Sequence, residues 1–305
     1  MNAFHSKHDR AIGLSSMESA LVLSVFPEGA QIGASHYFDN YNLPCPIKVK
    51  IDTPNGTSQY VVLRKARHGD VAREENALRL LSKYGLPVPK VLAGPCENRL
   101  VLSFLEGENL QHFSMRSKGH LEKSKALLLT ALNTLDKVTG EIERETTPDI
   151  IPRHSLMDEL DAIKDQAPWR AENLFKEAVD VLQPVLEQIS TPLVFTNGDY
   201  QPANFLTDGT KITGFVDFEK ACFRDPLMGI TKYPVYDLHP LNKAGFVDRY
   251  LDTRGYDRTD FASRLALMCL TTLQREIPVR ATSVEDQTYQ THVTHLLKEA
   301  ITTFV

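Results

Sequence analysis

Between Phe195 and Glu219 three polar side chains recur at fixed offsets among short, strand-like apolar runs. The stretch Phe195-Thr196-Asn197-Gly198-Asp199-Tyr200-Gln201-Pro202-Ala203-Asn204-Phe205-Leu206 is followed shortly by Gly214-Phe215-Val216-Asp217-Phe218-Glu219. Asp199 and Asn204 stand five positions apart, and Asp217 follows Asn204 by thirteen. An apolar run, D-x-x-x-x-N, a second apolar run and D-x-E thus occur in order, with the spacing of a hairpin. Asp and Asn beside Gly and Pro are individually common turn residues, because they bond their own backbone. The ordered combination is what constrains the fold.

The residue types point to a chemistry. Mg²⁺ is hard and prefers oxygen, so carboxylates and an Asn carbonyl suit it as ligands. A separate carboxylate can face an acceptor hydroxyl and take or orient its proton. Phosphoryl transfer from ATP needs these parts, because it depends on positioning and on offsetting the charge that grows on the phosphates. A kinase fold presents a catalytic Asp, a metal-binding Asn and a second metal-binding Asp in this order. Asp199 has the position of the base, and Asn204 and Asp217 have the positions of ligands.

Composition narrows the alternatives. With 305 residues the chain is long enough for one large domain or two lobes with a sizeable core. A hydrophobic share of 42% and a charged share of 24% are ordinary for a soluble globular protein. A net charge of −5 and a pI near 6.1 give no support for nucleic acid or an anionic membrane as a main partner. Cys45, Cys96, Cys222 and Cys269 are far apart and form no C-x-x-C pair, so neither a zinc site nor a disulfide framework is expected. A reducing cytoplasm is the simpler location. The run Ala20-Leu21-Val22-Leu23 is too short and too poorly flanked for a signal peptide, and no stretch approaches a membrane span.

Strands dominate the first third. Ile47–Ile51 alternates apolar and polar, Thr53-Pro54-Asn55-Gly56 is a turn signal, and Tyr60–Arg64 reads as the returning strand. Asp70–Tyr84 is predicted helical with Ala77, Leu78 and Leu81 on one face, and Gly85 stands where a C-cap belongs. Pro87–Leu92 leads into another strand, and Leu100–Leu105 is the last. Helical spacing then prevails, through Leu128, Leu132, Leu135, Val138 and Ile142, and again through Leu174, Ala178, Val181, Val185 and Ile189. Pro184 should kink or split the latter helix. Further helices are expected at Ala244–Leu251, Phe261–Leu273 and Thr291–Ile301. The fold class is α+β: a β-rich N-lobe with one long helix over 1–103, a hinge near Ser103–Gly107, and a larger α-rich C-lobe over 104–305.

On these motifs the chain resembles the aminoglycoside phosphotransferase and choline kinase-like family, within the bilobal protein-kinase-like fold. The resemblance runs from about Tyr60 to Pro226. It is carried by Val61-Val62-Leu63-Arg64, Arg73-Glu74, Gly85-Leu86-Pro87-Val88-Pro89, Leu102-Ser103-Phe104-Leu105-Glu106-Gly107, Asn197-Gly198-Asp199 through Asn204, and Val216-Asp217-Phe218-Glu219. It implies that Arg64 touches the ATP phosphates and that Glu74, with Glu75 as its rival, holds Arg64. It implies that the backbone of Ser103, Phe104 and Leu105 meets adenine in a nucleotide-binding N-lobe. In the catalytic and acceptor-binding C-lobe it makes Asp199 the base, with Asn197 beside it. Asn204 and Asp217 become Mg²⁺ ligands, with Glu219 as a further metal group.

Three places depart from the family's usual pattern. Asn197 stands where the family has His, and an Asn can orient by hydrogen bonds but cannot carry a proton as His can. Gly229 stands where many relatives have an Asp after the Asp-Pro pair, here Asp225-Pro226. Gly29 and Gly33 are candidates for a phosphate loop, yet no G-x-G-x-x-G precedes the Ile47 strand.

The expected activity is that of an ATP- and Mg²⁺-dependent small-molecule kinase. Its acceptor is a hydroxyl compound of the aminoglycoside, choline or other small-metabolite kind, bound near Asp199 and Phe223–Pro240, where Asp237 and His239 are candidate lining residues. The alternatives are a nucleotide-binding module without turnover, motivated by Asn197, and a metal-dependent hydrolase using Asp217 and Glu219. The sequence leaves ATP against GTP and the oligomeric state open.

Overall fold

A computed structural model describes residues 12–38, 46–66, 71–165, 173–238, 240–275 and 284–304. By contacts the chain divides into two compact units. The first comprises Met1–Glu108, Arg144–Ile151 and Phe205–Ala221, and the second Asn109–Glu143, Pro152–Asn204 and Cys222–Val305. The first unit also takes up two later segments, one of which carries Asp217 and Glu219.

In the first unit five strands form one antiparallel sheet. They are β1 (Gln31–Tyr37), β2 (Ile47–Asp52), β3 (Ser58–Lys65), β4 (Val91–Cys96) and β5 (Arg99–Ser103), in the order β1-β2-β3-β5-β4. Alternation along β2 and β3 sends Val49, Ile51, Val61 and Leu63 to one face, where they form a core with Val22 and Val101. Val22 belongs to α1 (Ser16–Leu23), which is started by a capping box between Ser15 and Glu18. Neither α1 nor β1 was expected from the sequence. The apolar run Ala20–Leu23 covers little more than one turn, and β1 reads QIGASHY with little alternation. Arg64 follows Leu63 and so projects from the opposite face of β3.

Helix α2 (Val71–Lys83) buries Glu74, Ala77, Leu78 and Leu81, a stripe with helical spacing. Asp70 lies outside the described residues. The helix ends as the sequence predicts. Gly85 has φ +76°, its N–H donates to the Ser82 carbonyl at 3.1 Å, and the Leu86 N–H reaches the Leu81 carbonyl at 3.0 Å. Strands Phe205–Thr207 and Ile212–Phe215 pair antiparallel as the hairpin expected between Asn204 and Asp217.

The second unit is mostly helical. The helix Lys118–Lys137 buries Leu128, Leu132 and Leu135, then stops at Val138, so Ile142 sits in a separate short helix, Thr139–Glu145. The helices Leu156–Lys164, Asn173–Glu187, Arg258–Arg275 and Val284–Ile301 share a core that includes Leu160, Ile163, Ala178, Leu182, Leu267, Leu270 and Leu297. Pro184 neither splits nor ends its helix. It lies in the last turn before Glu187, where the only intrahelical bond lost is the one to the Asp180 carbonyl. The fully buried face of that helix is Phe175, Ala178, Leu182 and Leu186, turned from the expected one, with Leu174, Val181 and Ile189 packed at its margin. The helix expected at Ala244–Leu251 spans Phe246–Arg254, opened and closed by the left-handed glycines Gly245 and Gly255. A small sheet orders Arg153–His154, Cys222–Arg224 and Val194–Thr196, and its last strand delivers the chain to Asn197.

Candidate active site

In the first unit the site is built around one guanidinium. Arg64 Nε donates to Glu74 Oε2 at 2.9 Å, while Nη2 lies 2.5 Å from Asp217 Oδ1 and 3.2 Å from Glu219 Oε2. Glu74 accepts a second bond on Oε1, from the Phe218 N–H at 3.3 Å. Glu75 pairs with Arg79 on the helix surface, so between the two rivals Glu74 is the one that meets Arg64. Helical spacing carries this distinction, since Glu74 lies on the stripe of Ala77, Leu78 and Leu81 and Glu75 lies beside it.

Burial opposes the charges of this cluster. It pushes the Glu74 carboxyl up from its ordinary value, against the pull of Arg64 and with added repulsion from Asp217. It also works against the Arg64 charge, but Glu74, Asp217 and Glu219 more than compensate and hold that guanidinium above its usual range. One cation therefore shares three carboxylates, through Nε to Glu74 and Nη2 to Asp217 and Glu219, a use of separate donors that the forked guanidinium suits.

Asp217 takes the left-handed conformation at φ +64°, which Asp tolerates better than most residues, and its side chain keeps 36% of its exposure. Asp217 and Glu219 thus offer two carboxylates that already share one cationic partner. This donor set fits Mg²⁺, which is commonly held by one or two carboxylates together with substrate phosphates. Among the described residues no group of three His, Cys, Asp or Glu side chains is arranged to hold a metal by itself.

Ser103, Phe104 and Leu105, expected from the sequence to border adenine, also belong to this unit. The Ser103 N–H donates to the Lys90 carbonyl at 2.9 Å, and its Oγ accepts from the Lys90 N–H at 2.8 Å. Its amide is therefore committed to the sheet, and a base-binding amide would have to come from Phe104 or Leu105. The Phe104 ring lies 5.8 Å from that of Tyr60, and Lys48 Nζ sits 4.1 Å from both ring centroids. Lys48 and Tyr60 were not singled out from sequence; their signal is position alone, on adjacent paired strands. Gly33 lies within β1 and Gly29 in the turn before it. The connection between β1 and β2, residues 39–45, lies outside the described residues.

In the second unit hydrogen bonds set the geometry of the Asp199 loop. The Asp199 N–H donates to Asn197 Oδ1 at 3.0 Å, and Asn204 Nδ2 donates to the Asp199 carbonyl at 2.9 Å. Asn197 is 1% exposed. It forms an Asx-type turn that fixes the loop without a titrating ring. Lys232 Nζ lies 3.0 Å from Asp199 Oδ1 and 3.2 Å from the Gly198 carbonyl. Sequence reading missed Lys232, because nothing in its neighbours marks it.

Gly229 has a steric reason. A Cβ there would lie 2.3 Å from Tyr200 Cδ2, so no side chain fits while Tyr200 keeps its place. Asp237 bonds Asn242 Nδ2 at 2.9 Å and pairs with Lys243 at 3.4 Å, and these local bonds draw its carboxyl below the ordinary range. His239 lies outside the described residues.

Among the described residues no helix is long and apolar enough to cross a membrane. A search of curated proteins gives no match. Solved structures do match. A thermostable mutant of aminoglycoside phosphotransferase APH(4)-Ia, in ternary complex with ADP and hygromycin B, aligns with TM-score 0.67 at 12% identity, covering 93% of this chain and 97% of that one. The GDP and kanamycin complex of APH(2")-IIia aligns with TM-score 0.65 at 17% identity, covering 95% and 100%. At such identities the likeness concerns the fold, which is the α+β, kinase-like fold of these enzymes. The model of the phosphotransferase enzyme family matches residues 48–263, more than two thirds of the chain. The chain belongs to the phosphotransferase enzyme family and is a phosphotransferase with an alcohol group as acceptor.

Proposed function

We propose that this protein is an ATP- and Mg²⁺-dependent small-molecule kinase, acting on a hydroxyl of an aminoglycoside-like, choline-like or other small acceptor. The observation that carries this reading is the Arg64 cluster. A strand arginine is seated by a buried helix glutamate and reaches two carboxylates more than 150 positions away. A phosphate chain would give Arg64 new anionic partners, and the carboxylates it leaves would be open to a divalent cation. Mg²⁺ bound there would supply charge neutralisation for the phosphates.

The roles follow from the side chains. Arg64, seated by Glu74, binds phosphate oxygens; Asp217 and Glu219 are metal-holding carboxylates, and in the second unit Asn204 carries an amide oxygen of the kind Mg²⁺ takes as a ligand. The backbone of Phe104 and Leu105 borders the base. Asp199 accepts or orients the proton of the acceptor hydroxyl. Asn197 favours an active enzyme over a nucleotide-binding module without turnover, since its Oδ1 already orients the Asp199 amide. That ADP, GDP, hygromycin B and kanamycin occur in complexes of similar folds supports a nucleotide and an amine-bearing polyol as the first compounds to try. ADP release measured across a panel of hydroxyl compounds tests the reading. Release that needs both Mg²⁺ and an acceptor is the expected result, and none with any acceptor would count against it.

A further inference from the structure

We infer that Lys232 is a positioning residue for the phosphoryl transfer. It pins one oxygen of the Asp199 carboxylate so that the other is presented to the acceptor hydroxyl. The inference rests on the kinase reading in one respect, that Asp199 handles the acceptor's proton.

The geometry is specific. The backbone of Asp199 is held at both ends, its N–H by Asn197 and its carbonyl by Asn204, so the loop itself is fixed. The carboxylate still has freedom, because rotation about χ2 of an aspartate is broad and roughly two-fold. Lys232 Nζ removes that freedom by bonding Oδ1 at 3.0 Å and, with a second proton, the Gly198 carbonyl at 3.2 Å. Oδ2 is left as the accepting oxygen. Both side chains are shielded, at 12% and 19% exposure. Such a pair is less screened by solvent than a surface ion pair.

The support for Lys232 is itself built in. Lys232 opens the short helix Lys232–Val235, and the preceding Thr231 is fully buried, with Oγ1 donating to the Met228 carbonyl at 2.7 Å. The next residue, Tyr233, is also fully buried, and its hydroxyl donates to the Tyr200 carbonyl at 2.9 Å. Adjacent side chains of one turn thus grip three consecutive residues, with Lys232 on Gly198 and Asp199 and Tyr233 on Tyr200. Tyr200 in turn packs where Gly229 leaves room. A lysine that only balanced a half-buried charge would not need the second bond to the loop backbone.

Two measurements test this on the full chain. The first reads the ion pair by NMR of lysine side-chain ammonium groups. Lys232 should give a slowly exchanging signal that shifts and broadens in Asp199→Asn. A rapidly exchanging signal that ignores the substitution would overturn the inference. The second reads kinetics. Lys232→Met should lower kcat by about 10–100-fold, the scale of a roughly 1 Å misplacement of a reacting group. The KM for ATP should stay within about twofold and the melting temperature should be unchanged. Lys232→Cys should be similarly slow and should regain about tenfold on aminoethylation, which rebuilds a lysine-like ammonium; treated wild type controls for the native cysteines. Unchanged kcat in Lys232→Met, or a lost melting temperature without rescue, would overturn the inference. A wild type that transfers to no acceptor contradicts the kinase reading instead, and the NMR result, which needs no turnover and no Lys232 variant, then decides whether Lys232 fixes the carboxylate.

Discussion

Arg64 in the first unit and Asp199 in the second are both ionic, shielded side chains, yet they are held by different means. Arg64 is held by charge, through ion pairs to Glu74 on α2 and to Asp217 and Glu219 on one segment more than 150 positions away. Asp199 is held mainly by neutral hydrogen bonds, its N–H donating to Asn197 and its carbonyl accepting from Asn204, within five residues of itself, and by Lys232 from farther away. The difference fits the tasks proposed for them. A cation that must exchange carboxylates for phosphates is better kept by partners it can leave. A base that must meet one hydroxyl is better kept by a loop that does not move.

The largest expected effect is chemical and falls on the second centre. Asp199→Asn should lower kcat by about 10²–10⁴-fold, the usual cost of losing a general base, while nucleotide affinity and melting temperature stay near those of wild type. Steady-state kinetics with calorimetric titration of Mg·ATP would show it, and turnover within a few-fold of wild type would remove Asp199 from the mechanism.

Next comes the stability of the first centre. Arg64→Met removes the cation that Glu74, Asp217 and Glu219 share. Stripping one partner from a buried ionic group costs about 3–5 kcal/mol, which denaturant melts would read directly. The same substitution should weaken Mg·ATP binding, whereas Mn²⁺ alone should bind about tenfold more tightly, because Asp217 and Glu219 lose their competitor. Electron spin resonance of Mn²⁺ measures this without nucleotide, and unchanged Mn²⁺ affinity would show that Arg64 does not compete there.

A smaller effect is expected at Asn197. Asn197→Leu leaves the part-buried Asp199 N–H without its acceptor, at about 1–3 kcal/mol, and kcat should fall with it. Asn197→His, which keeps an acceptor nitrogen, should stay within about tenfold of wild type, or ~1.4 kcal/mol in the barrier. Equal losses in the two variants would mean that the side chain does more than orient the loop. Smallest of all is Glu75→Gln, which gives up a helix surface pair with Arg79 worth about 0.3–0.5 kcal/mol. A loss as large as that of Glu74→Gln would contradict the division of labour between these neighbours.

The same contrast explains what could be read from the sequence. The Asp199 loop is local, so D-x-x-x-x-N and the hairpin to Asp217 were visible as spacing, and the Gly85 stop of α2 was visible as turn chemistry. The choice between Glu74 and Glu75 stayed open in the sequence, although the stripe of Ala77, Leu78 and Leu81 marks the face on which Glu74 lies. Lys232 was not legible, because a lone lysine in a Pro- and Tyr-rich segment carries no periodic signal, and only the fold brings it to Asp199. Residues 205–221 join the first unit although they lie in the chain between segments of the second, which a reading of continuous segments does not foresee. The short α1 was hidden because one capping box and one apolar run are weak signals apart. Pro184 misled because a proline near a helix end costs far less than one at its centre.

The most direct measurement follows the phosphoryl group itself. Wild type and Asp199→Asn would be incubated with Mg·ATP and a panel of aminoglycosides, amino alcohols and sugars, and the products followed by ³¹P NMR. A new phosphate-ester resonance in wild type that depends on Mg²⁺ and on one class of acceptor, and that is absent or at least about 10²-fold slower to appear in Asp199→Asn, is the expected result. ATP consumed only to inorganic phosphate, or an ester formed equally fast by both proteins, would contradict it.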